Sequence, residues 1–123
     1  MEFKMEKTVS LPDGIKVPAV GQGTWFLGEN RAARSQEVET LRAGIEAGMS
    51  LLDTAEMYGS GRAEALIGEA ISGYDRKQLF LVSKVFPQNA GRRNIFNSCL
   101  ASMERMKTDY IDLYLLHWRG AGG

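Results

Sequence analysis

Four short apolar runs begin near residues 18, 50, 79 and 111, about thirty residues apart, and segments of helical periodicity separate them. This spacing restricts the chain more than any other feature. Runs such as LFLVSKV (79–85) are apolar on both faces, so both faces must be covered. Strands of that kind, alternating with helices, form parallel sheets with the helices packed against them, joined by right-handed crossovers. The helices are expected over 35–48, 62–72 and 92–106. In the first, Ser35 is a candidate N-cap, Gly48 a stop, and Val38, Leu41 and Ile45 the buried stripe. In the third, Ile95, Cys99 or Leu100, Met103 and Met106 are expected to face the core, and Gly73 should stop the second. Ahead of these units, TVSLPDGIKVP reads as a hairpin turning at Pro12, Asp13 and Gly14. The chain therefore divides into a hairpin cap (7–17), four parallel strands with three helices (18–117), and a glycine-rich tail (118–123) too short for a fourth helix. The class is α/β. Four such units amount to half of a (β/α)8 TIM barrel, or to a small open sheet.

Composition excludes several function classes. A chain of 123 residues is one ordinary domain. Fifteen Lys and Arg balance fifteen Asp and Glu, so nothing electrostatic favours a nucleic-acid partner. Cys99 stands alone, which rules out an intrachain disulfide and a cysteine metal cluster and fits a reducing compartment. No zinc-ligand spacing occurs, and no metal is expected. MEFKMEKTVS has no signal-peptide core, and no run approaches the length of a membrane span, so the cytoplasm is the default expectation.

Polar residues fall at the ends of the expected strands. Asp53 ends the second, Lys84 nearly ends the third, and the sole histidine, His117, ends the fourth. In a parallel sheet these positions share the C-terminal edge, where α/β folds build their sites. Tyr58 lies five residues past Asp53 in the loop MYGSG, within reach of the same edge. A lysine in an apolar strand needs a partner, and Asp53 is at hand. An ammonium beside a phenol favours the phenolate, and such a phenol can pass a proton to a developing alkoxide. His117 can donate a hydrogen bond to the same oxygen and orient a carbonyl. Each residue also has a plain structural reading: an Asx turn at Asp53, a loop aromatic at Tyr58, a satisfied strand-end histidine at 117. Lys84 is hardest to explain that way, because lysines are seldom buried without a partner. Trp25 and Trp118 follow strand ends and read equally as pocket walls or packing. GQGTWF lacks the third glycine of a dinucleotide fingerprint, so its glycines are read as permitting a turn beside a ligand or the barrel mouth. Arg92 and Arg93 open a helix and are read as solvated, and Glu56 and Arg62 as a surface pair.

VGQGTW, DTAEMYGS, FLVSKVFP and DYIDLYLLHW together resemble the aldo-keto reductase superfamily, in particular its bacterial members, over nearly all of 16–118. The resemblance implies a (β/α)8 barrel truncated here after about four strands, with an N-terminal β-hairpin. It implies NADPH-dependent reduction of aldehydes or ketones: Tyr58 as general acid, Lys84 and Asp53 tuning it, and His117 orienting the carbonyl. Gly23, Thr24, Trp25 and Asp53 are the implied cofactor contacts. Trp25, His117 and Trp118 are the implied substrate contacts, and a small carbonyl compound is the implied partner. The family's remaining cofactor-binding loops belong to the second half of the barrel, so an isolated fragment is expected to be inactive. A half barrel that self-associates through its exposed strand edges, its site residues idle, is the competing expectation.

Overall fold

The computed structural model describes residues 8–117. Strands β1 (Thr8–Ser10) and β2 (Lys16–Pro18) pair antiparallel, with Val9 opposite Val17. The turn between them is closed by the Asp13 carboxylate, which accepts the Ile15 N–H at 3.0 Å, and by Gly14 at φ 89°. β1 is exposed along its length, and Val17 and Pro18 of β2 carry the hairpin's apolar contact inward.

A second sheet follows, built from β3 (Gln22–Gly23), β4 (Leu51–Asp53), β5 (Phe80–Val85) and β6 (Leu113–Leu116). Its order is β3-β4-β5-β6 and all three pairings are parallel. Helices α1 (Arg34–Glu46), α2 (Arg62–Ala70) and α3 (Asn94–Met106) fill the three crossovers. A hairpin followed by four sequential parallel strands with a helix in each crossover is the first-half architecture of a (β/α)8 barrel.

Register assigns the two faces. Leu52 pairs with Leu81, both fully buried, and they meet Leu41 and Ile45 of α1, Leu66 and Ile67 of α2, and Met106 of α3. Each such side chain contributes roughly 1.5–3 kcal/mol by leaving water. The alternate residues, Asp53, Val82, Lys84, Leu113 and Leu115, lie on the opposite, barrel-interior face. Leu113, Leu115 and Leu116 of β6 and Phe96 and Leu100 of α3 remain exposed.

Several boundaries differ from the sequence expectation. The first parallel strand is Gln22–Gly23, not the apolar run beginning near 18, whose Pro18 belongs to the hairpin and whose Val20 is exposed. A side chain at Gly21 would come within 2.7 Å of Leu51 Cδ2, and the Gln22 amide donates to the Leu41 and Met49 carbonyls at 3.1 and 3.0 Å. Close packing and a buried amide thus place this strand, rather than apolar content. Gly23 pairs with Asp53 in the ladder instead of serving as a turn. Ser35 lies inside α1; the entry is a short 3-10 turn capped by Asn30, whose side chain accepts the Ala32 N–H. Gly48 (φ 101°) and Gly73 (φ 94°) do follow the ends of α1 and α2. In α3, Cys99 is half-buried and Leu100 turns outward.

Candidate active site

The C-terminal edge of the parallel sheet is assembled by the ladder running on past the strands. Thr54 N–H donates to Val82 O (2.8 Å), Glu56 N–H to Lys84 O (3.2 Å) and His117 N–H to Val85 O (3.0 Å). The Asp53 carbonyl accepts both the Thr24 N–H (3.1 Å) and the Thr24 hydroxyl (3.0 Å), which ties the loop after β3 to the end of β4.

Lys84 sits within this frame with its side chain 14% exposed. Its Nζ donates to Asp53 Oδ1 at 2.5 Å and to the Thr54 carbonyl at 2.9 Å, so the buried ammonium has the carboxylate partner its setting requires. The Tyr58 ring centroid lies 5.2 Å from Lys84 Nζ. The His117 ring meets Tyr58 edge-on, centroids 5.6 Å apart and planes at 82°. Burial, and then the Lys84 ammonium, push the His117 pKa below its ordinary 6.5, with Asp53 and Glu56 opposing. The imidazole is therefore held toward its neutral form, one nitrogen a donor and the other an acceptor. Trp25 stacks on Tyr58 at 6.4 Å and on Phe26 at 4.8 Å, and both Trp25 and Phe26 are 65% exposed.

Asp53, Tyr58, Lys84 and His117 thus come together at one edge, with Trp25 beside them. Gly23 lies there too, and a Cβ added to it would meet nothing within 4 Å. Open space above Gly23 and the exposed Trp25 ring leave room for a planar group next to Tyr58. Thr24 is different: it is fully buried and its hydroxyl is spent on Asp53. Trp118 lies outside the described residues. Glu56 does not pair with Arg62; its carboxylate accepts the Phe86 N–H (2.6 Å) and the Asn89 amide (3.1 Å), bracing the loop after β5. Arg92 and Arg93 are exposed and precede the first residue of α3.

Sequence reading missed a second charged group behind the sheet. Glu64 is fully buried, holding Arg105 and the Ser83 hydroxyl. The one available signal was a glutamate at a stripe position in the first turn of a helix. A concavity of about 470 Å³ at the other end of the strands is lined by Gly73, Tyr74, Arg76, Leu79 and Tyr110. Its arginine is committed to Thr108, Asp112 and two backbone carbonyls, so that end reads as structural. Among the described residues no cluster of His, Cys, Asp and Glu suits a metal ion, and no helix is long and apolar enough to cross a membrane.

Fold and cluster together define a βα-barrel protein with an Asp–Lys–Tyr–His group at the C-terminal edge of its strands. The chain belongs to the Aldo/keto reductase family, whose profile matches residues 19–121. It is 53% identical over 116 residues to the methylglyoxal reductase YeaE of Escherichia coli, a match covering 94% of this chain and 40% of that protein. It is 36% identical to the aldo-keto reductase YhdN of Bacillus subtilis, covering 93% of this chain and 38% of the relative. An aldo-keto reductase from Klebsiella pneumoniae, solved in complex with NADPH, superposes with a TM-score of 0.87 at 52% identity, over 93% of this chain and 40% of that one. The chain thus spans about 40% of the length of these relatives.

Proposed function

We propose that this chain carries the proton-transfer half of an NADPH-dependent carbonyl reductase site, acting on aldehydes or ketones to give alcohols. One observation supports the reading above the others: the Tyr58 ring has both the Lys84 ammonium, at 5.2 Å, and the His117 imidazole, at 5.6 Å, beside it. In this reading a substrate carbonyl enters over Trp25 and its oxygen reaches the Tyr58 hydroxyl and a His117 N–H. When bound, NADPH supplies the hydride that reduces the carbonyl carbon. Tyr58 gives its phenolic proton to the oxygen as negative charge develops there, so the C=O becomes an alcohol. Lys84 stabilises the phenolate left behind, and Asp53 holds Lys84 in place. His117, kept neutral, orients the carbonyl without competing as an acid. Gly23, Trp25 and Asp53 line the space in which the nicotinamide would lie, and Thr24 acts through Asp53. Trp118 is assigned to the substrate pocket on the family resemblance. Residues 18–117 are the catalytic portion in this scheme, 7–17 a cap, and the cytoplasm, where NADPH is available, the site of action.

The test is aldehyde-dependent loss of NADPH absorbance by the purified chain, alone and completed with the remaining segment of a relative. Activity removed by Tyr58→Phe supports the assignment; equal activity in that variant refutes it. A second reading rests on the exposed Leu113, Leu115 and Leu116 of β6 and Phe96 and Leu100 of α3. It makes the chain a half barrel that assembles through its exposed β6 edge and the neighbouring α3 surface with its site idle. Sedimentation decides: a discrete oligomer inactive toward aldehydes favours assembly, and a monomer excludes it.

A further inference from the structure

Tyr58 is the one member of the cluster not carried by the sheet or its ladder, and the turn that bears it is conformationally weak. Gly59 (φ 59°), Ser60 (φ 55°) and Gly61 (φ 93°) follow in succession with left-handed backbones. For Ser60 this is an uncommon conformation, sustained only where surrounding structure enforces it. The enforcement comes from behind. A Cβ at Gly61 would lie 2.9 Å from both Arg105 Cδ and Nε, so the arginine stem packs flush against the turn. Arg105 is itself aimed by Glu64: Nε and Nη2 reach Glu64 Oε1 at 2.7 and 2.6 Å, and Nη2 also reaches Ser102 Oγ at 3.3 Å. The other oxygen, Glu64 Oε2, accepts the Ser83 hydroxyl at 2.6 Å. Ser83 immediately precedes Lys84 on β5, and its side chain points to the opposite face of the sheet.

We propose that the pair formed by buried Glu64 and partly exposed Arg105 is a positioning element that sets the Tyr58 turn against the strand carrying Lys84. One carboxylate grips the strand at the residue next to Lys84. Through Arg105 it presses on the turn three residues after Tyr58. An ion pair with one partner buried is a weak source of stability, since apolar residues of similar volume often replace buried pairs without loss. What such residues cannot supply is the fork geometry that fixes a guanidinium against one glycine. The proposal rests on the reading of Tyr58 as the proton donor, but its geometric content is measurable without turnover.

The experiment uses the single histidine as probe. In the wild-type chain, nuclear Overhauser cross-peaks between the Tyr58 and His117 ring protons are expected from the 5.6 Å ring contact, with a His117 titration midpoint below 6.5. The double variant Glu64→Leu/Arg105→Met should retain cooperative unfolding, lose those cross-peaks, and show the His117 midpoint rising toward 6.5 as the ring gains water. Glu64→Gln, which keeps volume but removes the charge and one of the two acceptor oxygens, should weaken the cross-peaks in the same direction and serves if the double variant fails to fold. Unchanged cross-peaks and midpoint in either folded variant would overturn the proposal and leave the pair a packing feature. Loss of the ring contact upholds the positioning role whatever the activity, whereas a chain completed with the remaining segment of a relative and still inactive toward aldehydes would refute the function it rests on.

Discussion

The Asp53–Lys84 pair is asymmetric, and the asymmetry predicts an order of stabilities. Lys84 is the sequestered partner at 14% side-chain exposure, whereas Asp53 is 43% exposed. Asp53→Asn leaves an ammonium in the sheet with the Thr54 carbonyl at 2.9 Å as an uncharged acceptor. Stripping a partner from a fully buried pair costs about 3–5 kcal/mol, and losing an exposed pair costs about 1 kcal/mol or less. With one partner largely buried and the other open to water, the expected cost is about 2 kcal/mol. Lys84→Met leaves Asp53, which water can reach, and replaces the lysine stem with a chain of similar length; about 0–1 kcal/mol is expected. For a domain of this size the difference amounts to roughly 5 °C in Tm.

Urea unfolding followed by circular dichroism measures both variants, provided the slope stays constant. The expected order is wild type at or above Lys84→Met, with Asp53→Asn lowest. The double variant Asp53→Asn/Lys84→Met should recover most of the loss, because the stranded charge is gone. If Lys84→Met is as damaging as Asp53→Asn, or the double variant is the worst of the three, the cost does not arise from a buried unpaired ammonium and the argument fails.

Arg76 joins Thr108 Oγ1 (2.7 Å), Asp112 Oδ2 (2.7 Å) and the Leu79 and Tyr110 carbonyls, and it covers the Tyr110 ring at 3.9 Å. Arg76→Ala should cost about 2–3 kcal/mol in the same unfolding assay, since Asp112 loses its charge partner while still accepting the Leu81 N–H. The depressed His117 pKa means that, between the native value and 6.5, the unfolded chain binds the extra proton. Stability is therefore full above pH 6.5 and falls as the pH drops through the native value, which denaturant midpoints across pH 5–8 will read; His117→Gln should flatten that profile. In the same titration by NMR, Lys84→Met should raise the His117 midpoint and Asp53→Asn should lower it, because the two charges act on it with opposite sign.

What the sequence disclosed follows from the range of the interactions concerned. Strands β4, β5 and β6 were legible because each is a compact apolar run, a pattern that needs no knowledge of its neighbours, although β6 leaves Leu113, Leu115 and Leu116 exposed. β3 was not, because Gln22–Gly23 is a strand only by virtue of Leu51 against Gly21 and two distant carbonyls on the Gln22 amide. The Asp53–Lys84 pair was legible across 31 residues since a lysine in a buried strand demands a carboxylate and parallel register brings strand ends together. The Glu64–Arg105 pair spans 41 residues between two helices, whose relative rotation no local pattern encodes. The start of α1 is illegible for a nearer reason: the helix has no side-chain cap of its own, Asn30 caps the 3-10 turn that precedes it, and Ser35 stands closer to the first apolar stripe residue.

The same distinction runs through the site itself. Asp53, Lys84 and His117 inherit their mutual positions from backbone ladders, so any sequence that forms this sheet places them correctly to within the register. Tyr58 inherits nothing from the ladder beyond Ala55, whose carbonyl accepts its N–H at 3.2 Å, and its turn runs through three left-handed residues. Proton transfer tolerates little error in distance, because the donor must reach hydrogen-bonding range of the developing oxygen. Selection for chemistry at this edge would therefore act more strongly on the supports of the turn than on the strands. Gly61, Arg105, Glu64 and Ser83 are those supports, and substitutions there should disturb the Tyr58–His117 ring contact at less cost to stability than an equal loss of volume at Leu52 or Leu81.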